Sequence, residues 1–353
     1  MGALSWVLML RDDLDLLPAY VPGVRAEGAL KLSSNEVTQP PIPAVAEAMA
    51  NAVAGANRYP DMFSVALRQK LAATVGLTLE NVAIGIGSSA LCQQLVQITC
   101  RPGDKVVFPW RSFEGYPIFA AVVGATSVPV PLDAEFRNDL DALAAAAQDA
   151  KLVFLCNPNN PTGTTHSHEA IAEFLKKVPG DVVVALDEAY IEYVRDAAAI
   201  DALALLAKHP NLVVLRTFSK AYGLAGARVG YAFAAPAIIE AINKVQIPFG
   251  INVAAQAGAV AALEHSEEIL SRTSDVAVQR TRVARALGAV PSQANFVWVP
   301  DLADIQATGA ALAERGILVR CFPEGMRITV TTAEEMDQLI DAWRDINPAR
   351  TSA

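Results

Sequence analysis

The chain has 353 residues, 53% of them hydrophobic and 18% charged, with a formal net charge of -9. That length exceeds what one hydrophobic core usually organises and implies a large domain with a smaller companion, while the composition excludes a disordered chain. An acidic balance leaves no basic face for a phosphate backbone, so nucleic acid is not an expected partner. Cys92, Cys100, Cys156 and Cys321 lack CxxC or paired spacing, and His166, His168, His209 and His265 form no metal constellation. Neither a disulfide framework nor a metal site is expected, a reducing cytosol fits best, and His166 and His168 read as a solvated loop.

The opening GALSWVLML is too short to span a bilayer and has neither a basic flank nor a small-residue cleavage site. It is expected to be neither a membrane anchor nor a signal peptide. Residues 1–8 read as an upstream start or a loose extension ahead of RDDLDLLPAYVPG. From residue 62 helical and strand-like segments alternate. FSVALRQKLAATVG is helical, NVAIGIG a strand, SSALCQQLVQITC helical, DKVVFP a strand, YPIFAAVVG helical and TSVPVPL a strand. KLVFLC, DVVVALD, NLVVLRT and RVGYAFA are short, almost continuously apolar runs, the pattern of strands buried on both faces of a mostly parallel sheet. The expected architecture is therefore α/β and doubly wound, with ligands at the carboxyl ends of the strands. After about residue 246 an Ala-rich helical region leads to NFVWVP, ILVRCF and MRITVT, which reads as a smaller α+β domain. The expected division is residues 1–34 packing with the small domain, 35–246 as the large ligand-binding domain, and 247–353 as the small one.

Several residues stand where those strands end. Lys220 lies in RTFSKAYGLAGAR directly after NLVVLRT, where burial and neighbouring cations lower an amine's pKa and make it a nucleophile. Thr217, Ser219 and Arg228 surround it in sequence and suit a phosphate on the ligand that Lys220 holds at its other end. Asp187 closes DVVVALDEAY. It is read either as the carboxylate that keeps a pyridine nitrogen protonated, with Tyr190 at the ring's phenolic oxygen, or as a turn-capping Asp. In CNPNNPTG two prolines stiffen the turn, and the Asn157 amide is expected at the same phenolic oxygen. Ser88 and Ser89 follow a glycine turn at a helix start, a natural phosphate site that is also a common cap.

NPNNPTG, DEAY and T-x-SK with an arginine eight residues after the lysine resemble, in this order, the class I/II aminotransferases of pyridoxal-phosphate fold type I. The resemblance runs from LPAYVPG through NRYPD to MRITV and is nearest to the histidinol-phosphate aminotransferase branch. It implies a pyridoxal 5'-phosphate cofactor bonded to Lys220, Phe113 stacked on the pyridine ring, and Arg327 forked onto the substrate α-carboxylate. It also implies a homodimer in which Tyr59 reaches the neighbouring cofactor phosphate. Phe113 stands where the family often has tyrosine, so stacking is kept and a hydroxyl is lost. By themselves Phe113, Tyr59 and Arg327 read more plainly as core, helix staple and surface strand charge.

SSNE places Asn35 near substrate, and Tyr20, Val21 and Phe249 are candidates for an apolar pocket. The details of LPAYVPG, SSNE, CQQLVQ, WRSFE and RTFSKAYGLAG look most like the aromatic amino acid (phenylalanine) aminotransferases of actinobacteria. The expected reaction is reversible amino transfer between phenylalanine, tyrosine or tryptophan and 2-oxoglutarate. Histidinol-phosphate transamination is the alternative, with Arg320 as candidate for the substrate phosphate. A decarboxylase or lyase on the same scaffold, and a cofactor-sensing regulator, complete the alternatives; the regulator would need a DNA-binding extension that the acidic chain does not display.

Overall fold

The computed structural model describes residues 14–17, 19, 20, 23, 26–196 and 200–347. The expectation for residues 1–8 and the pocket candidate Val21 lie outside them. Among the described residues no helix is long and apolar enough to cross a membrane.

The apolar runs form one seven-stranded sheet. Its strands are β1 (Val82–Ile86), β2 (Lys105–Trp110), β3 (Thr126–Pro131), β4 (Leu152–Cys156), β5 (Val183–Asp187), β6 (Leu212–Thr217) and β7 (Val229–Ala234), in the order β1-β7-β6-β5-β4-β2-β3. Every neighbour pair is parallel except those made by β7, which runs antiparallel to both β6 and β1. All five residues of β4 are buried, as a strand covered on both faces requires. Register aligns Cys156 with Asp187, Asp187 with Leu215, Thr217 with Gly230 and Ile86 with Val229. The carboxyl ends of β1, β4, β5 and β6 and the entry to β7 thus lie along one edge.

Helix α1 (Gly87–Thr99) leaves β1 at that edge and packs across the sheet, and α2 (Gly115–Val122) follows β2. The Ala-rich region is two helices, Val253–Glu264 and α3 (Ser266–Leu287), parted at His265. Asn252 caps the first by accepting from Ala255 N, and Glu267 and Glu268 place negative charge in the first turn of the second, which favours a fresh start there. Ala255, Ala259 and Ala262 belong to the core under the large sheet. Ile269 near the start of α3 still belongs to that core, whereas Val283 and Leu287 near its end belong to a second one, so α3 packs on both.

The smaller unit is an antiparallel sheet in which β10 (Gly325–Thr329) lies between β8 (Phe296–Pro300) and β9 (Arg320–Phe322). Helices α3 and α4 (Ala333–Ile346) cover it, burying Val283, Leu287, Leu339 and Trp343. Thr332 caps α4 through the Glu335 amide. Leu30–Lys31 pairs in parallel with Ile317–Leu318, and Leu32 is fully buried in this second core, so residues 30–32 pack with the small unit.

One close approach ties fold to site. A Cβ on Gly230 would lie 2.1 Å from the Ser88 backbone nitrogen, at the start of α1. Gly230→Ala should therefore push that helix end off β7 and destabilise the chain by about 1–3 kcal/mol. Urea denaturation checks this; an unchanged midpoint would remove the constraint.

Candidate active site

A cavity of about 430 Å³ opens along the carboxyl edge of the large sheet. It is lined by Ser88, Ser89, Phe113, Asp187, Tyr190, Thr217, Ser219, Lys220 and Arg228 from the large unit, and by Arg320 and Arg327 from the small one. Tyr20 and Asn35 also reach it. A wider depression of about 880 Å³ beside Arg195, Arg282, Arg285 and Arg344 is an open surface feature and gathers none of these groups.

The cavity has two differently built ends. At one, Ser88 and Ser89 begin α1, and the Arg228 guanidinium donates to Ser219 Oγ at 3.2 Å and to the Ala225 carbonyl at 3.1 Å. Arg228 adopts a left-handed φ of 59°, and its carbonyl accepts from Gly87 N at 3.0 Å. A side chain at Gly87 would collide with the Arg228 guanidinium, since a Cβ there falls 2.3 Å from it. Hydroxyls, a guanidinium and a helix N-terminus together make an anion cradle. Thr217 Oγ1 accepts from Ser219 N at 3.0 Å and fixes the turn between them.

At the other end Arg327 is buried and donates to Asn160 Oδ1 at 2.7 Å and to the Ser33 carbonyl at 2.6 Å. Among the described residues its Nε is buried without a partner, which leaves donor capacity for a carboxylate. Arg320 stands directly across from Arg327 in the β9–β10 pair and donates to Glu114 Oε2 at 2.8 Å.

Between the ends lie Lys220, Asp187 and Tyr190. Lys220 Nζ donates to the Ser34 carbonyl at 3.2 Å. Burial, with the Arg327 and Arg228 charges adding, lowers its pKa to about 7, so a neutral, nucleophilic amine is accessible near neutrality. Asp187 Oδ2 accepts from Tyr116 Oη at 2.8 Å and Oδ1 from Ala189 N at 3.2 Å. Burial pushes its pKa up; the Tyr116 and Ala189 hydrogen bonds and the Lys220 charge pull part of the way back. Tyr190 Oη accepts from Asn35 Nδ2 at 3.0 Å, and burial raises its pKa. Asn35 has a φ of 56° and is held by Thr329 and Asn295.

Asn157, His166 and Phe249 differ from expectation. Asn157 does not line the cavity. Its Oδ1 accepts from His166 N at 2.8 Å, and Asn160, three residues on, faces the cavity instead. The rigid turn was legible, but not which of its three amides turns inward. His166 is partly buried and lies 2.7 Å from the Asn138 carbonyl, so it braces the turn instead of being solvated. Phe249 lies outside the cavity of its own chain, stacked on Tyr59 with centroids 4.6 Å apart; Tyr59, expected at a neighbouring site, is 81% exposed. Tyr116 and Glu114 were not anticipated. Tyr116 sits three residues after Phe113, one helical turn, which is the only sequence signal for it.

The aminotransferase class I and II family model matches residues 27–342. The chain belongs to that family. An aromatic amino acid aminotransferase of Corynebacterium diphtheriae is 59% identical over 339 residues, covering 95% of this chain and 98% of that protein. The protein of the same description from Rhodococcus jostii is 52% identical over 350 residues, covering 97% of each. Among solved structures, histidinol-phosphate aminotransferase from Sinorhizobium meliloti in complex with pyridoxal-5'-phosphate superposes with a TM-score of 0.83. It is 32% identical, over 90% of this chain and 92% of that one.

The depressed Lys220 pKa has a thermodynamic counterpart in the aminotransferase freed of bound ligand. Folding lowers the pKa from its unfolded value near 10.5 to about 7, so the unfolded chain binds more protons between those values. Stability thus rises with pH across that window, and the penalty is complete below about pH 7. Lys220→Met should be more stable than wild type at pH 6, with the gap narrowing by pH 9 in urea denaturation. A gap that is constant with pH would contradict the shift.

Proposed function

We propose that this chain is a pyridoxal-phosphate-dependent aromatic amino acid aminotransferase, acting reversibly between phenylalanine, tyrosine or tryptophan and 2-oxoglutarate. The observation that carries the reading is one cavity in which a neutral-capable lysine stands between an anion cradle and an arginine with spare donor capacity, in a chain so similar to proteins named for that activity. The residues fit the cofactor. Ser88, Ser89, Ser219 and Arg228 would hold its phosphate, Phe113 would cover its ring, and Tyr190 would donate to its phenolic oxygen. Asp187, already short of compensating charge, would face its ring nitrogen. When bound, pyridoxal phosphate supplies an aldehyde for the substrate amine and a ring that accepts electrons.

The chain's own groups do the rest. Arg327 and Asn160 fix the α-carboxylate, which orients the Cα–H bond toward Lys220. The Lys220 amine would take the proton from Cα and return it two atoms along, beyond the nitrogen, a 1,3-shift suited to a pKa near 7. Tyr20, Phe113, Ile118 and Phe119 offer apolar surface to the substrate side chain. A homodimer accounts for the exposed Tyr59–Phe249 stack, with Tyr59 reaching the neighbouring cofactor phosphate and Phe249 the neighbouring substrate. Dispersed cysteines suit a reducing cytosol.

Histidinol-phosphate transamination is the second reading, because Arg320 lines the cavity. Its engagement by Glu114 counts against a phosphate there. The deciding measurement is kcat/KM for phenylpyruvate plus glutamate against histidinol phosphate plus 2-oxoglutarate. The first pair should win, and a clear preference for the second would overturn the substrate assignment. Lys220→Ala should lose roughly 10²–10⁴-fold or more in transamination, the range of general acid–base catalysis. It should also lose the phosphopyridoxyl label that borohydride reduction leaves on Lys220 in wild type. Retained turnover would sink the mechanism.

A further inference from the structure

Three guanidinium groups surround the Phe322 ring. Arg111, Arg320 and Arg327 lie 5.5, 5.4 and 5.8 Å from its centroid. Arg320 and Arg327 are cross-strand partners, a placement in which two like charges repel. The three are not equivalent. Arg111 is forked onto Glu324 with bonds of 3.1 and 2.8 Å. Arg320 is held by Glu114. Arg327 has an amide, a carbonyl and an unpartnered Nε among the described residues. Two of the three thus carry a carboxylate from the chain itself, and one is left for the ligand.

Resting on the reading that Arg327 takes the substrate α-carboxylate, we propose that Glu114 is a specificity-determining residue, a built-in counter-anion that occupies Arg320 and biases the distal part of the cavity toward uncharged, aromatic side chains. Glu114 immediately precedes α2, next to Phe113, so the cofactor-side aromatic and the counter-anion arrive on one turn. Side-chain exposure is 16% for Arg320 and 31% for Glu114, so the pair is shielded enough to matter and close enough to solvent to open. A neutral side chain passes beside the closed pair and disturbs nothing. A distal carboxylate or phosphate must either displace Glu114, trading one charge-assisted bond for another while leaving a carboxylate to be rehydrated, or lie beside it as a second anion. Both routes work against the anion, which is specificity by a repulsive element. The γ-carboxylate of a dicarboxylic partner bears the same handicap, so the pair also sets how strongly the site favours its aromatic substrate over its acidic one.

The test uses two unreactive acids on the full-length holoenzyme, 3-phenylpropionate and glutarate. Each has one carboxylate for Arg327, and only glutarate has a second. Isothermal titration calorimetry on wild type, Glu114→Gln, Arg320→Met and the double variant gives the ratio of the two dissociation constants. Glu114→Gln is nearly isosteric and partly exposed, so folding is not at issue. It should shift the ratio toward glutarate by about tenfold, the scale of one charge-assisted hydrogen bond. That gain should vanish when Arg320→Met is added. A shift below about threefold, or a gain that survives without Arg320, would overturn the assignment of Glu114. Failure of 3-phenylpropionate to bind wild type in competition with phenylalanine is a distinct outcome: it removes the aromatic reading itself, and the role of Glu114 with it.

Discussion

A carboxylate at the end of a strand buried on both faces must find donors, and Asp187 is where this constraint is tightest. Leaving such a charge unpaired costs several kcal/mol, so the surroundings are built to hold it. Tyr116 donates to it from α2, and its own ring stacks on Phe154 of β4 at 4.4 Å with the planes 7° apart. Strand alternation then sends the next side chain, Glu188, to the opposite face, where it pairs with Arg216. Two adjacent acids are thus separated by the pleat into a structural ion pair on one side and a cavity carboxylate on the other. Burial pushes both carboxyls above their ordinary pKa, but Glu188 already has Arg216 beside it, whereas Asp187 lines the cavity, where a cation can reach it.

Much of this arrangement is legible in the sequence because strands buried on both faces leave a strong signal. KLVFLC, DVVVALD and NLVVLRT can hardly be anything else, and the polar residue at the end of each marks the working edge. Lys220, Asp187, Tyr190, Ser219 and Arg228 all follow from that logic, and the structure brings them to one cavity. Side-chain direction within irregular backbone is a different matter. The turn after β4 offers Asn157, Asn159 and Asn160, three copies of one amide with no period to sort them. In the folded chain Asn157 braces His166, Asn159 binds Ser112 and Thr162, and Asn160 alone faces Arg327. Glu114 was illegible for another reason. Its meaning depends on Arg320, 206 residues away, and no local pattern encodes that distance. The break at His265 was hidden likewise, since alanine-rich sequence favours helix on both sides of it.

The two units meet through a short strip of extended chain. Ser33 and Ser34 present their carbonyls to Arg327 and Lys220, and Asn35 binds Tyr190, Thr329 and Asn295 through backbone and side chain. Residues from the large sheet and from the small one are thereby anchored to the same three positions. Carbonyl dipoles suit this task because they steady a cation without neutralising it. Lys220 keeps its lowered pKa and Arg327 keeps its appetite for an anion.

That shared anchor has a metric consequence. The carbonyls that receive Arg327 and Lys220 belong to adjacent residues, so the two cations are spaced by a single planar peptide unit. The interval between the binding end and the reacting end of the cavity is thereby set by covalent geometry, which is stiffer than the packing of either long side chain.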